Sequence, residues 1–462
     1  MDTDIAILGG GAAGLSAARE ARRLGGRAVI VNKGPLGGDC TFTGCVPSKS
    51  VIEASLAGLG FDAAFERARS VVARIASTET ADRLREEGAE VIDDEGRLVV
   101  VDGRGAIEVG GRTVTSKGLV IATGSRPFVP PIPGLDQVDH LTTEDLWALR
   151  EAPASLVVIG GGAIGCELSQ ALVRFGIEVT LVEMAPRVLI KEEPAASEIA
   201  ATALASAGVK VLTGTAVQSV APAAGGVSLD LGDAGSITAE QVLVAVGRRP
   251  NTDRGGLTEA GLELLPNGYI TNDDDLSTNI AGVHVAGDVS GRLQFTHAAD
   301  HMGRIAVNNI LKARGPLRRQ EFKAGEVPWV TFVTPEIARI GMSEDEAARE
   351  VDGAMVAELP LDEHDRALTA DATDGFIKII AGPRRGLGMA GGGRIIGATI
   401  VAERAGEMMA EVALAVTLDA FTGRLAQSVH AYPTWSYGVA KAVGQFFTEV
   451  EGRTARPARR DP

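Results

Sequence analysis

The stretch that decides the fold is Ile5-Ala-Ile-Leu-Gly-Gly-Gly-Ala-Ala-Gly14, an apolar strand that runs into a glycine-rich turn. A helical stretch, Leu15 to Leu24, follows it, so strand, turn and helix occur in the order of a dinucleotide-binding motif. The glycines let the backbone approach a pyrophosphate, and the amide groups at the helix N-terminus stabilise its charge. We expect these contacts at Gly9, Gly11 and Gly14.

The same unit occurs a second time along the chain. Leu156-Val-Val-Ile-Gly-Gly-Gly-Ala-Ile-Gly165 repeats it without a gap, and a second strand ends each copy, at Ala28 to Val31 and at Val179 to Val182. One glycine cluster alone is also compatible with a tight structural turn. Two complete strand-helix-strand units instead indicate two dinucleotides, the second one bound at Gly160, Gly162 and Gly165.

The residue after each second strand bears on which nucleotide binds. Glu183 holds this position in the second copy, where a carboxylate hydrogen-bonds the adenosine ribose and repels a 2′-phosphate. This favours NADH over NADPH, although Arg187 is close enough in sequence to counter part of the repulsion. Asn32 is the equivalent residue in the first copy and carries no charge.

Length and charge exclude several classes of protein. A chain of 462 residues should divide into about three domains. Its net charge of −15 argues against nucleic acid as a partner. The first residues enter an apolar strand with no signal-peptide pattern, and charges or glycines interrupt every apolar stretch short of the ~18 residues that a membrane span needs. We therefore expect a cytoplasmic protein without membrane insertion.

Two of the three cysteines stand close together in Gly37-Gly-Asp-Cys40-Thr-Phe-Thr-Gly-Cys45-Val-Pro-Ser-Lys49. Five positions of regular helix rise about 7.5 Å, too far for a disulfide, so a bridge requires an irregular helix start, for which Gly44 and Pro47 are suited. Such a bridge is easily reduced, and a helix N-terminus or Lys49 would stabilise a thiolate. We interpret the pair as a redox couple.

Two other readings of the cysteines are weaker. A structural bridge fits a reducing compartment poorly, and a zinc site needs about four ligands where this segment offers two, so we expect no resident metal. Cys166, inside the second glycine motif, is interpreted as a small buried residue.

With these motifs the chain resembles the pyridine nucleotide-disulfide oxidoreductases, the flavoprotein family of dihydrolipoamide dehydrogenase, glutathione reductase and mercuric reductase. The resemblance runs from about Asp4 to Val450. It implies an α/β fold with two Rossmann-like domains, one for FAD and one for NAD(P), and a C-terminal α+β dimerisation domain. The further signatures are Ala122-Thr-Gly-Ser-Arg-Pro127, Gly160 to Glu167, Ala245-Val-Gly-Arg-Arg-Pro-Asn251 and Thr278 to Asp288.

The resemblance also implies roles for single residues. Asp288 and the first glycine motif would hold FAD, and Thr296 and His297 would begin a helix aimed at the flavin ring. Lys49 and Glu167 would form an ion pair beside the flavin. Asp288 is also compatible with a turn cap, and His297 with an ordinary helix-start residue.

The other residues implied to contact the cofactors are Gly38, Thr123, Gly124, Ser125 and Gly247. In the family's mechanism, NADH delivers hydride to FAD, which reduces the disulfide; Cys45 faces the flavin as a thiolate and Cys40 exchanges with substrate.

The C-terminal region departs from the pattern of the thiol-exchanging members, whose His-Pro-Thr-x-x-Glu segment supplies an acid/base across the dimer. Tyr432 stands at the histidine position and Tyr437 at the glutamate position. A phenol of ordinary pKa ~10 is protonated at neutral pH and is a poor base. His430 would replace the base only if its ring reached Cys40. A structural role for this histidine, and interface packing for the tyrosines, are the alternatives.

Mercuric reductase resembles the chain better here, because it has a tyrosine at that position and an Arg-Ala-Leu segment like that of Leu361 to Leu368. It also delivers metal through a C-terminal cysteine pair, whereas no cysteine follows Cys166.

The predicted domains are residues 1–147 and 276–323 for FAD, 148–275 for NAD(P), 324–450 for dimerisation and 451–462 as a disordered tail. Tyr432 and Tyr437 would complete the active site only in a two-fold homodimer.

Three hypotheses about function remain. The leading one is a mercuric-reductase-like NAD(P)H oxidoreductase that passes electrons through FAD and the cysteine pair to a metal ion, a quinone or another small acceptor. The second is a dihydrolipoyl dehydrogenase that uses another base. The third is a redox sensor in which the flavin and disulfide control partner binding, which would leave a complete hydride-donor site without a purpose.

Overall fold

The computed structural model describes residues 1–312 and 319–460. The strands in this part of the chain are β1 (Thr3–Leu8), β2 (Ala28–Val31), β3 (Ala89–Ile92), β4 (Arg97–Val101), β5 (Arg104–Val109), β6 (Arg112–Val114), β7 (Ser116–Ile121), β8 (Ser125–Pro127), β9 (Ser155–Ile159), β10 (Glu178–Val182), β11 (Lys210–Leu212), β12 (Ser219–Ala223), β13 (Gly226–Asp230), β14 (Ser236–Ala239), β15 (Gln241–Val244), β16 (Arg248–Pro250), β17 (Val283–Val285), β18 (Trp329–Thr331), β19 (Glu336–Gly341), β20 (Met355–Pro360), β21 (Phe376–Gly382), β22 (Arg394–Ala402) and β23 (Arg456–Pro457). The helices are α1 (Ala12–Arg23), α2 (Gly38–Phe42), α3 (Cys45–Leu56), α4 (Phe61–Ala76), α5 (Ala81–Glu86), α6 (Ala163–Val173), α7 (Pro194–Ser206), α8 (Thr296–Leu311), α9 (Glu344–Glu350), α10 (Asp365–Ala370), α11 (Ala405–Thr417), α12 (Thr422–Ala426) and α13 (Tyr437–Gly444). None of these helices is long and apolar enough to cross a membrane.

The contacts divide the chain into two compact units. The first contains Met1–Pro130, Leu141–Ala152 and Val246–Lys323, and the second contains Pro131–His140, Pro153–Ala245 and Ala324–Pro462. Residues 246–275, predicted as part of the nicotinamide domain, therefore belong to the first unit. The cause is local, because β16 pairs with β8 of that unit, and Leu257, Leu262 and Ile270 lie in its core. The other predicted boundaries stay predictions.

The first unit is built on a parallel five-stranded sheet in the order β17-β7-β1-β2-β3. Ile5, Ile7 and Ile30 are completely buried in this sheet, as a parallel strand covered on both faces requires. A separate antiparallel sheet, β4-β5-β6, and the pair β16-β8 complete the unit. Helix α1 begins inside the first glycine motif, with Gly11 as its N-cap and Gly14 in its first turn.

The second unit repeats this plan in the parallel sheet β11-β10-β9-β15. Ile5 pairs with Ala28 in the first copy, and Leu156 pairs with Val179 at the same register in the second. The sequence repeat therefore extends to the strand pairing itself. A three-stranded antiparallel sheet, β12-β13-β14, lies in the same unit.

The region after residue 324 forms the antiparallel sheet β18-β19-β22-β21-β20-β23, whose apolar core also includes α11 and α13. Its last strand corrects the prediction of a disordered tail. Arg456 and Pro457 pair with β20, and the Arg456 guanidinium is also bound by Glu344. Residues 451–460 thus have a defined position, and residues 461 and 462 lie outside the described part.

A buried ion cluster fixes several elements of the second unit together. The Lys378 ammonium lies 2.5 Å from the Glu193 carboxylate and 2.9 Å from that of Glu344, and all three side chains are less than 10% exposed. Burial alone would lower the pKa of Lys378, but the carboxylates of Glu193 and Glu358 outweigh it and raise that pKa. Lys378 is therefore charged at neutral pH.

We expect Lys378→Met to destabilise the protein by about 3–5 kcal/mol, since it leaves the buried Glu193 carboxylate without its counter-ion, while Glu344 keeps Arg456. Thermal unfolding followed by circular dichroism measures the effect. Lys210→Met removes an exposed lysine of the same unit and should leave the transition unchanged. Equal transitions for the two variants would show that the cluster does not stabilise the unit.

Candidate active site

The first glycine motif forms a cradle that only glycine permits. A Cβ at Gly9 would lie 2.3 Å from the Ala122 carbonyl oxygen, and one at Gly14 would lie 2.0 Å from the Gly9 oxygen. In front of Gly11 the nearest atom to a Cβ is 3.8 Å away, the Cα of Gly38, and the first turn of α1 holds no acidic residue. An open backbone face at a helix N-terminus fits a diphosphate.

The second motif has the same geometry. A Cβ at Gly165 would meet the Gly160 oxygen at 1.9 Å, whereas one at Gly162 meets nothing within 4 Å. The first turn of α6 likewise holds no acidic residue. Both cradles therefore fit the diphosphate of a dinucleotide.

The residues after the second strands of the two copies make matching hydrogen bonds. The Asn32 side-chain oxygen accepts from the Gly10 amide at 2.8 Å, and the Glu183 carboxylate accepts from the Gly161 amide. Asn32 donates its amide hydrogens to Gly34 and Pro35 carbonyls, while Glu183 also accepts from the Ala185 amide. Glu183 keeps acceptor positions for ribose hydroxyls.

Arg187 does not face the Glu183 carboxylate as a counter-ion. Its guanidinium donates to the carbonyl oxygens of Leu189, Ile190 and Glu192 at 3.0 to 3.3 Å. The arginine is therefore committed to its own loop. The structure therefore gives no support to the expectation that Arg187 offsets the repulsion of a 2′-phosphate.

Cys40 and Cys45 lie on two short helices separated by a break. Helix α2 ends at Phe42, Thr43 and Gly44 leave the helical conformation, and α3 begins at Cys45. The indole Nε1–H of Trp147 donates to the Thr43 carbonyl at 2.8 Å and so holds the break in place. The interruption replaces the regular rise that would keep the two thiols apart.

Both cysteines are free thiols, and they contact each other. The hydrogen bond to Cys45 and burial raise the pKa of Cys40, so this thiol keeps its proton at neutral pH. Cys45 is exposed at the N-terminus of α3, where the helix favours a thiolate. Its sulfur lies 3.5 Å from the Thr296 hydroxyl, at the first residue of α8.

An ion-pair network beside the cysteines was not predicted. The Arg248 guanidinium, 12% exposed, lies 2.9 Å from the Asp39 carboxylate and 3.6 Å from that of Asp288. The hydroxyl of Ser125 accepts from Arg248 Nε and donates to Asp288. Burial raises the pKa of Asp288, against the hydrogen bond from Ser125 and the charge of Arg248. Asp39 and Arg248 both lie inside sequence signatures quoted above, but no spacing rule connects two residues so far apart in the chain.

Tyr432 and Tyr437 meet in the second unit, with ring centroids 5.5 Å apart. The Tyr432 hydroxyl donates to the Asp365 carboxylate at 2.8 Å, which raises the pKa of Tyr432 and lowers that of Asp365. Tyr432 is 65% exposed. The Asp365 carboxylate, which was not among the predicted site residues, therefore accepts the hydrogen bond of the phenol.

His430 is bound on both sides of its ring. Nδ1 lies 3.0 Å from the Ser428 carbonyl oxygen, and Nε2 lies 2.7 Å from Glu411 Oε2. The carbonyl oxygen is an acceptor only, so Nδ1 donates to it. Both ring nitrogens thus have partners within the second unit, which fits a structural role for this histidine.

Other candidate residues take the following positions. The Thr123 hydroxyl donates to the Asn251 carbonyl at 3.1 Å, next to Gly124, and Gly247 accepts the amide of Phe128. The His297 ring stacks on Phe295. Cys166 is fully buried, and burial raises the pKa of its thiol. Lys49 and Glu167 belong to different units, and their pairing stays a prediction.

Comparisons with known proteins agree with these features. The family model described as pyridine nucleotide-disulphide oxidoreductase matches residues 3–303, and the dimerisation domain of the same family matches residues 327–443. A mercuric reductase of Staphylococcus aureus is 33% identical over 469 residues, covering 97% of this chain and 83% of that protein. A dihydrolipoyl dehydrogenase of Corynebacterium glutamicum is 31% identical over 472 residues, covering 95% and 97%.

Among solved structures, the Cu(II) complex of the HOCl-induced flavoprotein disulfide reductase RclA from Escherichia coli superimposes with a TM-score of 0.83. It is 26% identical and covers 96% of this chain and 99% of its own. Proteins of the matched family are enzymes that use FAD and NAD(P)H. The chain belongs to the pyridine nucleotide-disulphide oxidoreductases.

Proposed function

We propose that this flavoprotein oxidises NADH and passes the electrons through Cys45 and Cys40 to a soft metal ion, with quinones and other small acceptors as further substrates. FAD, when bound, accepts hydride from NADH and supplies two electrons to the disulfide. With two protons, these electrons convert the disulfide into two thiols. Transfer of the two electrons to the acceptor releases the protons and restores the disulfide.

The two thiols have different tasks in this proposal. Cys45 lies at a helix N-terminus beside Thr296, a position that stabilises the thiolate next to the flavin. Cys40 keeps its proton until it meets the acceptor, because burial and the bond to Cys45 raise its pKa. Asp288, Ser125 and the first cradle would hold FAD.

The hydrogen bond from Tyr432 to Asp365 is the observation on which the choice of electron acceptor rests. A phenol that donates to a carboxylate and has a raised pKa does not take a proton from a thiol substrate. A metal ion needs electrons and soft ligands, and a pair of thiols supplies both. The similarity to a mercuric reductase and to a reductase solved as a Cu(II) complex supports the same choice.

The proposal includes a homodimer, because residues 327–443 match a dimerisation domain and Tyr432 is exposed as a contribution to a partner's site would be. A cytoplasmic location fits a cysteine pair that must be reduced in each cycle.

Dihydrolipoyl dehydrogenase is the second candidate. It is supported by the relative from Corynebacterium glutamicum.

Arg248→Met should lower flavin retention, because Asp39 and Asp288 would then stand as unpaired negative charges beside a diphosphate cradle. Adding Asp39→Asn should restore part of the loss. The ratio of flavin to protein absorbance after dialysis measures both variants. Arg249→Met is the control, since this neighbouring arginine is 56% exposed and pairs with Asp253. Full retention by Arg248→Met would refute the role.

The enzyme should prefer NADH to NADPH, and Glu183→Gln should reduce the preference about tenfold, or about 1.4 kcal/mol, by removing the charge that repels a 2′-phosphate. The ratio of kcat/KM for the two nucleotides gives the measurement. Glu178→Gln changes an exposed glutamate at the start of β10, the strand that Glu183 follows, and should leave the ratio unaltered. A wild-type preference for NADPH would contradict this assignment.

The wild-type enzyme should turn over Hg²⁺ with NADH and use lipoamide poorly. Tyr432→His should increase lipoamide turnover about 100-fold, the lower range for a general base, while Tyr432→Phe should not. Steady-state NADH oxidation with each acceptor gives the comparison. Dominant lipoamide turnover by the wild type would favour the dihydrolipoyl dehydrogenase. No response to the histidine would place Tyr432 outside the exchange site.

A further inference from the structure

Three arginines surround a cavity at the tip of the β21–β22 hairpin, in the second unit. The cavity has a volume of about 510 Å³ and is lined by Pro383, Arg384, Arg385, Leu387, Arg394 and Asp419. None of these residues belongs to the cradles, the cysteine pair or the tyrosine pair. Three arginines and one aspartate line it, so the cavity wall carries a formal charge of +2 in a chain whose net charge is −15.

The first of these guanidiniums is held in position before any ligand binds. Arg384 lies 4.0 Å from the Phe421 ring centroid and donates to Asp419 Oδ2 at 2.7 Å. Stacking on an aromatic ring and one fixed hydrogen bond leave most of its donors free. Ordering this side chain therefore costs little when an anion binds.

The hairpin loop itself is also fixed. The amides and carbonyls of Arg384 and Gly388 bond each other at 2.8 and 2.9 Å, and the Thr422 amide donates to the Gly393 carbonyl at 3.1 Å. Arg394 forms an isolated bridge with Phe421. The first pair of bonds closes the loop on itself, and the other contacts join its C-terminal end to the segment that follows Asp419.

Asp419 does not neutralise the set. It lies 4.0 Å from Arg394, beyond hydrogen-bonding distance, and Arg385 has no ion-pair partner within residues 1–312 and 319–460. Two guanidiniums thus keep their paired N–H donors for a ligand. Such donors bind phosphate oxygens two at a time, and three arginines match two linked phosphate groups better than one.

We propose that the cavity formed by Arg384, Arg385 and Arg394 is a binding site for a small anion that carries a diphosphate group. The site is separate from both dinucleotide cradles and takes no part in the transfer of electrons. The diphosphate bridges Arg385 and Arg394, and Arg384 contacts it from the stacked position over Phe421.

The test uses the dimeric holoenzyme with bound FAD and saturating NAD⁺, which occupies the nicotinamide-nucleotide site. Inorganic pyrophosphate is titrated by isothermal calorimetry at low salt, where charge interactions are least screened. We expect one site per subunit. Arg385→Ala with Arg394→Ala should weaken binding about 100-fold, about tenfold for each guanidinium that the substitutions remove. Arg385→Ala alone removes no internal ion pair and should weaken binding about tenfold.

Arg404→Ala is the matched control. This exposed arginine precedes α11, whose far end leads to Asp419, so it lies about 20 Å of helix away and carries the same charge. Its binding should equal that of the wild type, and NADH oxidation should be unchanged in every variant. A titration with ADP distinguishes a nucleotide-linked diphosphate from the free ion, and stronger binding of ADP would assign the nucleotide.

Two results would overturn the proposal. One is the absence of pyrophosphate binding by the wild type. The other is equal binding by the wild type and the double variant, which would place the anion elsewhere. The measured quantity is binding and not turnover. The anion site can therefore be disproved while the proposed electron acceptor stands, and the proposed acceptor can be disproved while the anion site stands.

Discussion

In each of the two glycine motifs, the third glycine lies directly against the carbonyl oxygen of the first. A Cβ at Gly14 would be 2.0 Å from the oxygen of Gly9, and one at Gly165 would be 1.9 Å from that of Gly160. This close approach brings the start of each helix against the end of its strand. The helix amides, the open middle glycine and the polar residue after the second strand then face one space, and the placing of both nucleotides depends on it.

The sequence predicts what depends on short spacings. The repeat is visible in the glycines, and the structure extends it to Asn32 and Glu183, which accept hydrogen bonds from equivalent amides. The break between Cys40 and Cys45 was also predictable, because a disulfide cannot span five residues of regular helix. In these places the physical requirement acts on neighbours in the chain.

Contacts between distant segments were not predictable in the same way. Arg248 and Asp39 form an ion pair, yet nothing local to either residue indicates the other. The tail was predicted to be disordered from its composition, but Arg456 binds a buried carboxylate and orders part of it. In both cases the charged side chain has a partner that only the tertiary fold brings near.

The bond from Trp147 to the Thr43 carbonyl has a consequence for the rate of the redox cycle. It holds the main chain between the two cysteines while both are free thiols in contact. Closing and opening the disulfide then needs rotation of two side chains and little movement of the backbone. A couple with so small a reorganisation does not have to refold a loop in each turnover.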